Sequence, residues 1–214
     1  LSRGLGDVYK RQVSKLRKAT DTREALALFR EHSREELQSD LDFTAEVFGK
    51  AVNGFMNENL RELRKVLTAV EEKKIHLKQV KRVGTLGVTQ LDHDIAVEKG
   101  LYYYQGNDFA SEIIFSIRRL AEPMKDHIDN NFSPLSPVQK DDFGKVSEQI
   151  ISFLRNCATM IRKNDYIGFE ELIAESITLM NQLTALKKGE LKRIQGQSGS
   201  TKVSMVYLNM VQEA

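Results

Sequence analysis

The chain is poor in the residues that stabilise small extracellular folds. It has one cysteine, no tryptophan and three prolines in 214 residues. A single cysteine excludes an internal disulfide framework and is typical of a protein from a reducing compartment. Cys157 stands in the apolar segment ISFLRNCATMI, where we expect a buried small hydrophobic side chain rather than a reactive thiol.

Long hydrophobic runs and an excess of one charge are missing as well. No uninterrupted apolar run approaches the ~20 residues of a membrane helix, and no signal-peptide pattern occurs. The formal net charge is +2. Residues 1–12, LSRGLGDVYKRQ, hold three basic residues and one acidic residue. They resemble the translation of a sequencing adaptor, so we exclude them from fold reasoning. The remaining chain is neutral, and nucleic acid is therefore not an expected partner.

Helical periodicity is what the sequence does have. The longest periodic stretch spans residues 91–131, where apolar residues recur at spacings of three, four and seven. It predicts one helix of about 40 residues, or ~60 Å, which Pro123 should kink or interrupt near its C-terminal end. The apolar face comprises Ile95, Leu101, Tyr102, Phe109, Ile113, Phe115, Leu120, Met124 and Ile128.

Capping signals predict where the helices before this stretch begin. Residues 13–33 are interpreted as a linker and a short helix, the helix lying at about 22–31. Ser33 and Glu36 have the spacing of a capping box, so a separate helix is predicted at about 34–56.

The next predicted helix begins at Asn59, which has Glu62 three residues later. It covers about 59–82 and closes in a basic cluster, which suits the negative end of a helix dipole. Gly84 and Gly87 are then expected to turn the chain into the long helix.

A proline-containing segment, NNFSPLSPVQKDDFG, separates the second half of the chain from the first. Helices are predicted at about 141–163 and 169–194, with a break at Asn164 between them. A last helix is expected to begin near Thr201, after a glycine-containing turn.

The two halves share one order of features, which indicates an internal repeat. In each half, an asparagine-containing turn precedes a helix that closes in a basic cluster. A Gly-x-x-Gly turn and a third, tyrosine-containing helix follow. The predicted units are 34–132 and 133–214. Because the third helix of the first unit is much longer, the second unit is expected to be incomplete at its C-terminus, as in a fragment of a longer protein.

Two segments carry a resemblance to a known family: EVFGKAVNGFMNENLRELRKVLTAVEE and LKKGELKRIQGQSGSTKVSMVYLNMVQEA. They resemble PhoU-like proteins, and in particular the C-terminal cytosolic helical domain of bacterial inorganic phosphate transporters. The resemblance covers about 35–214. It implies an all-α fold of two antiparallel three-helix units with long helices, at the cytoplasmic face of the inner membrane. It also implies a regulatory or assembly role beside membrane helices of the same polypeptide.

Alternative functions are open at this point. A free-standing PhoU-type regulator of phosphate uptake would bind a transporter or kinase, and a generic helical scaffold would bind other proteins. A homodimer is considered for any of these. No nucleophile–base arrangement, G-x-S-x-G motif or P-loop occurs, so enzymatic activity is not expected.

The resemblance also suggests a metal site. PhoU proteins carry an acidic residue four positions before an aspartate on the third helix of each unit. The nearest pair here is Asp108 and Glu112, displaced from the register that the tyrosines imply. Carboxylates at this spacing lie on one helix face and can bind a hard cation. A solvated helix face without metal explains the same pair, and no other cofactor is expected.

The basic helix ends are candidate anion contacts. Lys81 and Arg82 precede the first glycine pair, and Lys192 and Arg193 precede the second. Glycines beside basic residues can present an anion to the next helix N-terminus. Helix C-capping by the glycines explains the pattern equally.

The phenylalanines of the periodic segments are expected to fill the core. The six predicted to be largely buried are Phe48, Phe55, Phe109, Phe115, Phe153 and Phe169.

Overall fold

The computed structural model describes residues 22–88, 93–196 and 199–214. Within these residues the protein is all-α and has no strand, which confirms the predicted fold class. The helices are α1 (Thr22–Met56), α2 (Leu60–Val88), α3 (His93–Asp129), α4 (Pro137–Lys163), α5 (Phe169–Gln195) and α6 (Thr201–Glu213). Residues 1–12 and the predicted linker up to residue 21 lie outside the described residues.

Helix α1 is continuous, whereas the sequence predicted a break at Ser33. The Ser33 hydroxyl donates to the Phe29 carbonyl at 2.7 Å. A serine that bonds back by four residues is satisfied inside a helix, so its capping signal has no effect here. The predicted helices 22–31 and 34–56 are therefore one element of 35 residues.

Two predicted interruptions of helices do not occur. Gly84 and Gly87 lie inside α2, which continues to Val88. A glycine costs a helix only about 1 kcal/mol relative to alanine, and Gly84 is buried. Pro123 lies inside α3, and the helix continues for six residues beyond it to Asp129, so the helix is not interrupted there, whereas a kink at Pro123 stays a prediction. The turn from α2 to α3 falls in residues 89–92, outside the described residues.

Local capping explains the helix ends that the sequence predicted correctly. Asn59 Oδ1 accepts a hydrogen bond from the Glu62 backbone N–H at 3.1 Å. Asn164 ends α4 in the left-handed conformation, at φ 51°. Asparagine tolerates this conformation better than most residues. The breaks after α1 and α4 are thus properties of the local sequence.

Helix α4 begins at Pro137, four residues before the predicted start at about Asp141. Ser136 and Gln139 form a capping box, in which each side chain bonds the other residue's backbone N–H. Proline is favoured at the first helical position because its fixed φ suits a helix. The sequence predicted a loop through both Pro134 and Pro137, whereas Pro137 is the first residue of the helix.

The helix contacts define how the six described helices pack. Helices α1, α2 and α3 contact one another, and α5 contacts both α4 and α6. Further contacts join α1 to α4 and α3 to α6. In the predicted repeat these are the helices at equivalent positions of the two units. The repeat and its division at residues 34–132 and 133–214 stay predictions. None of the described helices is both long and apolar enough to cross a bilayer.

The core confirms two of the six phenylalanine predictions. Phe48 and Phe55 are buried on α1. Phe115 and Phe153 are half-buried. Phe109 is 68% exposed, and Phe169 is also exposed, so the predictions for these two residues are wrong.

The error at Phe109 comes from the phase of α3. Its buried face is formed by Ala110, Ile114, Ile117, Leu120, Ala121 and Met124. This face includes two alanines, which let neighbouring helices approach closely. The predicted phase followed the largest side chains instead, and Phe109 points outward.

Candidate functional site

The predicted metal pair, Asp108 and Glu112, lies exposed on α3. Asp108 Oδ1 is 2.7 Å from Lys81 Nζ, and Glu112 Oε2 is 3.6 Å from Arg119 Nη1. Each carboxylate thus faces a cation of the protein. Across residues 22–88, 93–196 and 199–214, no group of three or more His, Cys, Asp or Glu side chains is arranged to hold a metal ion. Metal binding by this pair stays a prediction.

The four predicted anion contacts fall into two kinds. Lys81 and Arg193 are engaged by carboxylates, Lys81 by Asp108 and Arg193 by Glu190 at 2.8 Å. Arg82 and Lys192 are exposed. A bound anion would have to displace the carboxylates from the first two residues, so Arg82 and Lys192 are the more accessible contacts.

A buried polar cluster joins α4, α5 and α6 around Glu190. Glu190 is fully buried and accepts hydrogen bonds from Ser204 Oγ at 2.6 Å, Arg193 Nη1 at 2.8 Å and Gln139 Nε2 at 3.1 Å. Arg193 also contacts Asp142 Oδ2 at 3.2 Å. A buried carboxylate is tolerated where several donors replace its hydration. The cluster therefore fixes three helices relative to one another.

The protonation states in this cluster follow from burial and hydrogen bonding. Burial alone would raise the pKa of Glu190, but the bonds from Ser204, Arg193 and Gln139 outweigh it and lower that pKa below 4.5. Burial raises the pKa of Tyr207 to about 12. At neutral pH Glu190 is therefore charged and Tyr207 is neutral.

A second polar cluster lies between α1 and α2. His32, Glu36 and Asp40 follow one another at four-residue spacing on α1, which places them on one helix face. Glu36 Oε2 is 2.8 Å from His76 Nε2, and Asp40 Oδ1 is 2.6 Å from Lys73 Nζ, both on α2. Charged and polar side chains here replace part of the apolar contact between the two helices.

His32 is the unusual member of this second cluster. Its side chain is 6% exposed, and neither ring nitrogen has a hydrogen-bond partner among the described residues. Burial lowers the pKa of His32, although Glu36 and Glu35 act in the opposite direction. Burial likewise raises the pKa of Asp40 against the attraction of Lys73. The two helices thus enclose titratable groups that acid will disturb.

An apolar groove opens where α1, α3, α4, α5 and the end of α6 meet. Its volume is about 290 Å³. Its walls are mainly apolar: Phe48, Ile113, Ile117, Ile150, Phe153, Leu154, Leu179, Met180, Leu183 and Ala214, with Thr44, Ser116, Ser176 and Glu213 as the polar members. A groove of this composition suits an apolar side chain or helix face.

Both polar clusters were missed from the sequence. Glu190 lies seven residues after Leu183 and four after Leu186, so it occupies a position on the apolar face of α5. A charged residue on an apolar helix face indicates a buried polar contact, and this pattern was visible in the sequence. The four-residue spacing of His32, Glu36 and Asp40 was a second one. The partners on other helices, His76 and Lys73 for the α1 cluster and Gln139 and Ser204 for Glu190, were not predictable from local pattern.

Cys157 is half-buried, whereas the sequence predicted a buried side chain, and burial raises its thiol pKa. A raised pKa disfavours the thiolate, which agrees with the expectation of an unreactive side chain.

Comparison of the chain with protein-family models, with curated proteins and with solved structures gives no match. The class that the fold defines is therefore an all-α helical protein. Its resemblance to PhoU-like proteins stays a hypothesis based on the quoted segments.

Proposed function

We propose that this chain is a cytosolic regulatory or assembly domain of an inorganic phosphate transporter, and that it acts by binding rather than by catalysis. The membrane helices that carry the transport path would belong to the same polypeptide. The proposal rests on the resemblance of the two quoted segments to such domains.

The apolar groove is the observation that favours a binding role. It is bounded by several helices, and its lining is suited to another helix more than to a charged metabolite. A regulatory domain needs such a surface to sense or to join a neighbouring part of an assembly. The pairing of α1 with α4 and of α3 with α6 is also what a duplicated three-helix unit would give.

The gene region preceding the codon for Val13 tests this proposal against its main alternative. A transporter predicts an in-frame series of about ten hydrophobic segments, each of ~20 residues. A start codon close to Val13 would contradict the transporter proposal and favour the free-standing regulator.

The anion contacts give a second test. Inorganic phosphate is titrated calorimetrically into the protein and into the Arg82→Ala and Lys192→Ala variants. If these residues contact phosphate, each variant binds it more weakly, whereas Arg155→Ala, an exposed change on α4, leaves binding unchanged. Equal phosphate binding by all four proteins would show that neither Arg82 nor Lys192 contacts phosphate.

A further inference from the structure

Helix α5 exposes an apolar surface along most of its length. It contacts α4 and α6, and its remaining face is open. Six large apolar side chains of α5 are exposed: Phe169, Ile173, Ile177, Met180, Leu191 and Ile194. Exposed apolar surface of this extent marks interaction sites in soluble domains.

The open face of α5 has the spacing of a helix-packing seam. Ala174, Ile177, Asn181, Thr184, Lys188 and Leu191 alternate at three and four residues and are all exposed. Leu172, Leu179 and Leu186 lie on the opposite side, towards the protein. A seven-residue repeat keeps a seam facing a second helix over several turns. The seam is directed away from the rest of the chain.

The charges beside the seam suit a second copy of the same helix in the opposite direction. The N-terminal part of α5 carries Glu170 and Glu171, and the C-terminal part carries Lys192. Glu171 and Lys192 are exposed and form no ion pair with a described residue. In an antiparallel pair, Glu171 of each copy lies opposite Lys192 of the other.

The apolar residues in the seam and beside it fit the same two-fold symmetry. A two-fold axis near residues 182 and 183 places Ile173 opposite Ile194 of the second copy, and Ala174 opposite Leu191. Every such contact occurs twice, as in an isologous interface. A parallel, in-register pair would instead place Glu171 at the height of Glu171 and Lys192 at the height of Lys192, and would bring no opposite charges together.

We propose that α5 is a self-association surface through which two copies of the protein pair antiparallel. This inference is independent of the proposed role in phosphate transport. The partner is a second copy because both the apolar residues and the charges of α5 are complementary to α5 itself.

Charge reversal tests the proposal, with mass measured by light scattering and analytical ultracentrifugation over a range of concentrations. The unmodified protein should form a dimer. Glu171→Lys and Lys192→Glu should each weaken the dimer roughly tenfold or more, because two attractive pairs become two repulsive ones. The double variant restores opposite charges across the interface, so it should recover the dimer. A monomer at all concentrations, or a double variant no better than the singles, would overturn the proposal.

Two isoleucines of similar exposure distinguish this interface from non-specific hydrophobic association. Ile177 on α5 and Ile75 on α2 are 53% and 55% exposed. Ile177→Glu should abolish the dimer, and Ile75→Glu should leave it intact. Thermal melts check that both variants remain folded. A dimer that survives Ile177→Glu would contradict the assignment to α5.

Disulfide trapping tests the direction of the pair. In a Cys157→Ser background, a chain with Ile173→Cys is mixed with a chain with Ile194→Cys under mild oxidation. The antiparallel pair predicts mainly the mixed disulfide dimer. Predominant linkage of Ile173→Cys chains to each other would show a parallel pair and overturn the proposal.

Discussion

At the scale of single residues, Glu190 is the side chain whose removal should matter most among the polar groups. Three donors from α4, α5 and α6 are directed at it. Glu190→Ala leaves them without their charged acceptor, and we expect unfolding free energy to fall by about 2–3 kcal/mol. Glu148→Ala, at an exposed position of α4, should change it by less than ~0.5 kcal/mol. Equal denaturant midpoints for the two variants would contradict the role of Glu190.

The same carboxylate makes part of the stability acid-sensitive. The folded-state pKa of Glu190 lies below its ordinary value of 4.5. Its stabilising contribution is therefore complete above pH 4.5 and is lost as the pH falls through the folded-state pKa.

His32 should make stability pH-dependent in a higher range. Burial lowers its pKa below the ordinary 6.5. As pH falls below 6.5, the unfolded chain takes up a proton that folded His32 does not, so the unfolded state gains stability. We expect the unfolding free energy of the unmodified protein to decrease over this range more steeply than that of His32→Leu. Denaturant titrations at several pH values measure both curves, and parallel curves would show that His32 does not contribute.

At the scale of helices, the phase of α1 and α3 is tested by two phenylalanines. Phe48 is buried on α1, whereas Phe109 is exposed on α3. Phe48→Ala should cost about 3–5 kcal/mol. Phe109→Ala should cost less than ~1 kcal/mol, as is usual for surface positions. Urea unfolding measures the free energy of unfolding of both variants. A decrease of several kcal/mol for Phe109→Ala would contradict the observed phase of α3 and favour the phase that the sequence predicted.

The helix ends show which features local sequence can specify. Asn59 and Asn164 end or begin helices through bonds within a few residues, and both breaks were predictable. Ser33 and Gly84 also carry local signals for a helix end, but the helices continue through them. Long helices with extensive tertiary contacts override a weak local preference.

The polar clusters show which features local sequence cannot specify. Gln139 and Glu190 meet only because α4 and α5 pack together, and they are 51 residues apart in sequence. Periodicity identifies the face on which Glu190 lies, but not its partner. The candidate groove is likewise formed by five helices, so its lining could not be listed from one segment.

At the scale of the whole molecule, the groove should bind a hydrophobic dye. Met180 lines the groove and Met205 lies on α6 outside its lining, and both are exposed. Met180→Glu places a charge at the apolar wall and should weaken binding of an anilinonaphthalene dye. Met205→Glu should leave binding nearly unchanged. Fluorescence titrations that give the same result for the two variants would show that the dye binds elsewhere.

The proposed function is tested most directly by phosphate uptake. The complete gene that contains this coding region is expressed in cells that lack their own phosphate transporters, and uptake of labelled phosphate is measured. A transporter predicts uptake well above that of cells with an empty vector. It also predicts that Phe48→Asp, which should unfold this domain, alters the rate or its response to external phosphate. Uptake no greater than in the empty-vector cells would contradict the proposed function.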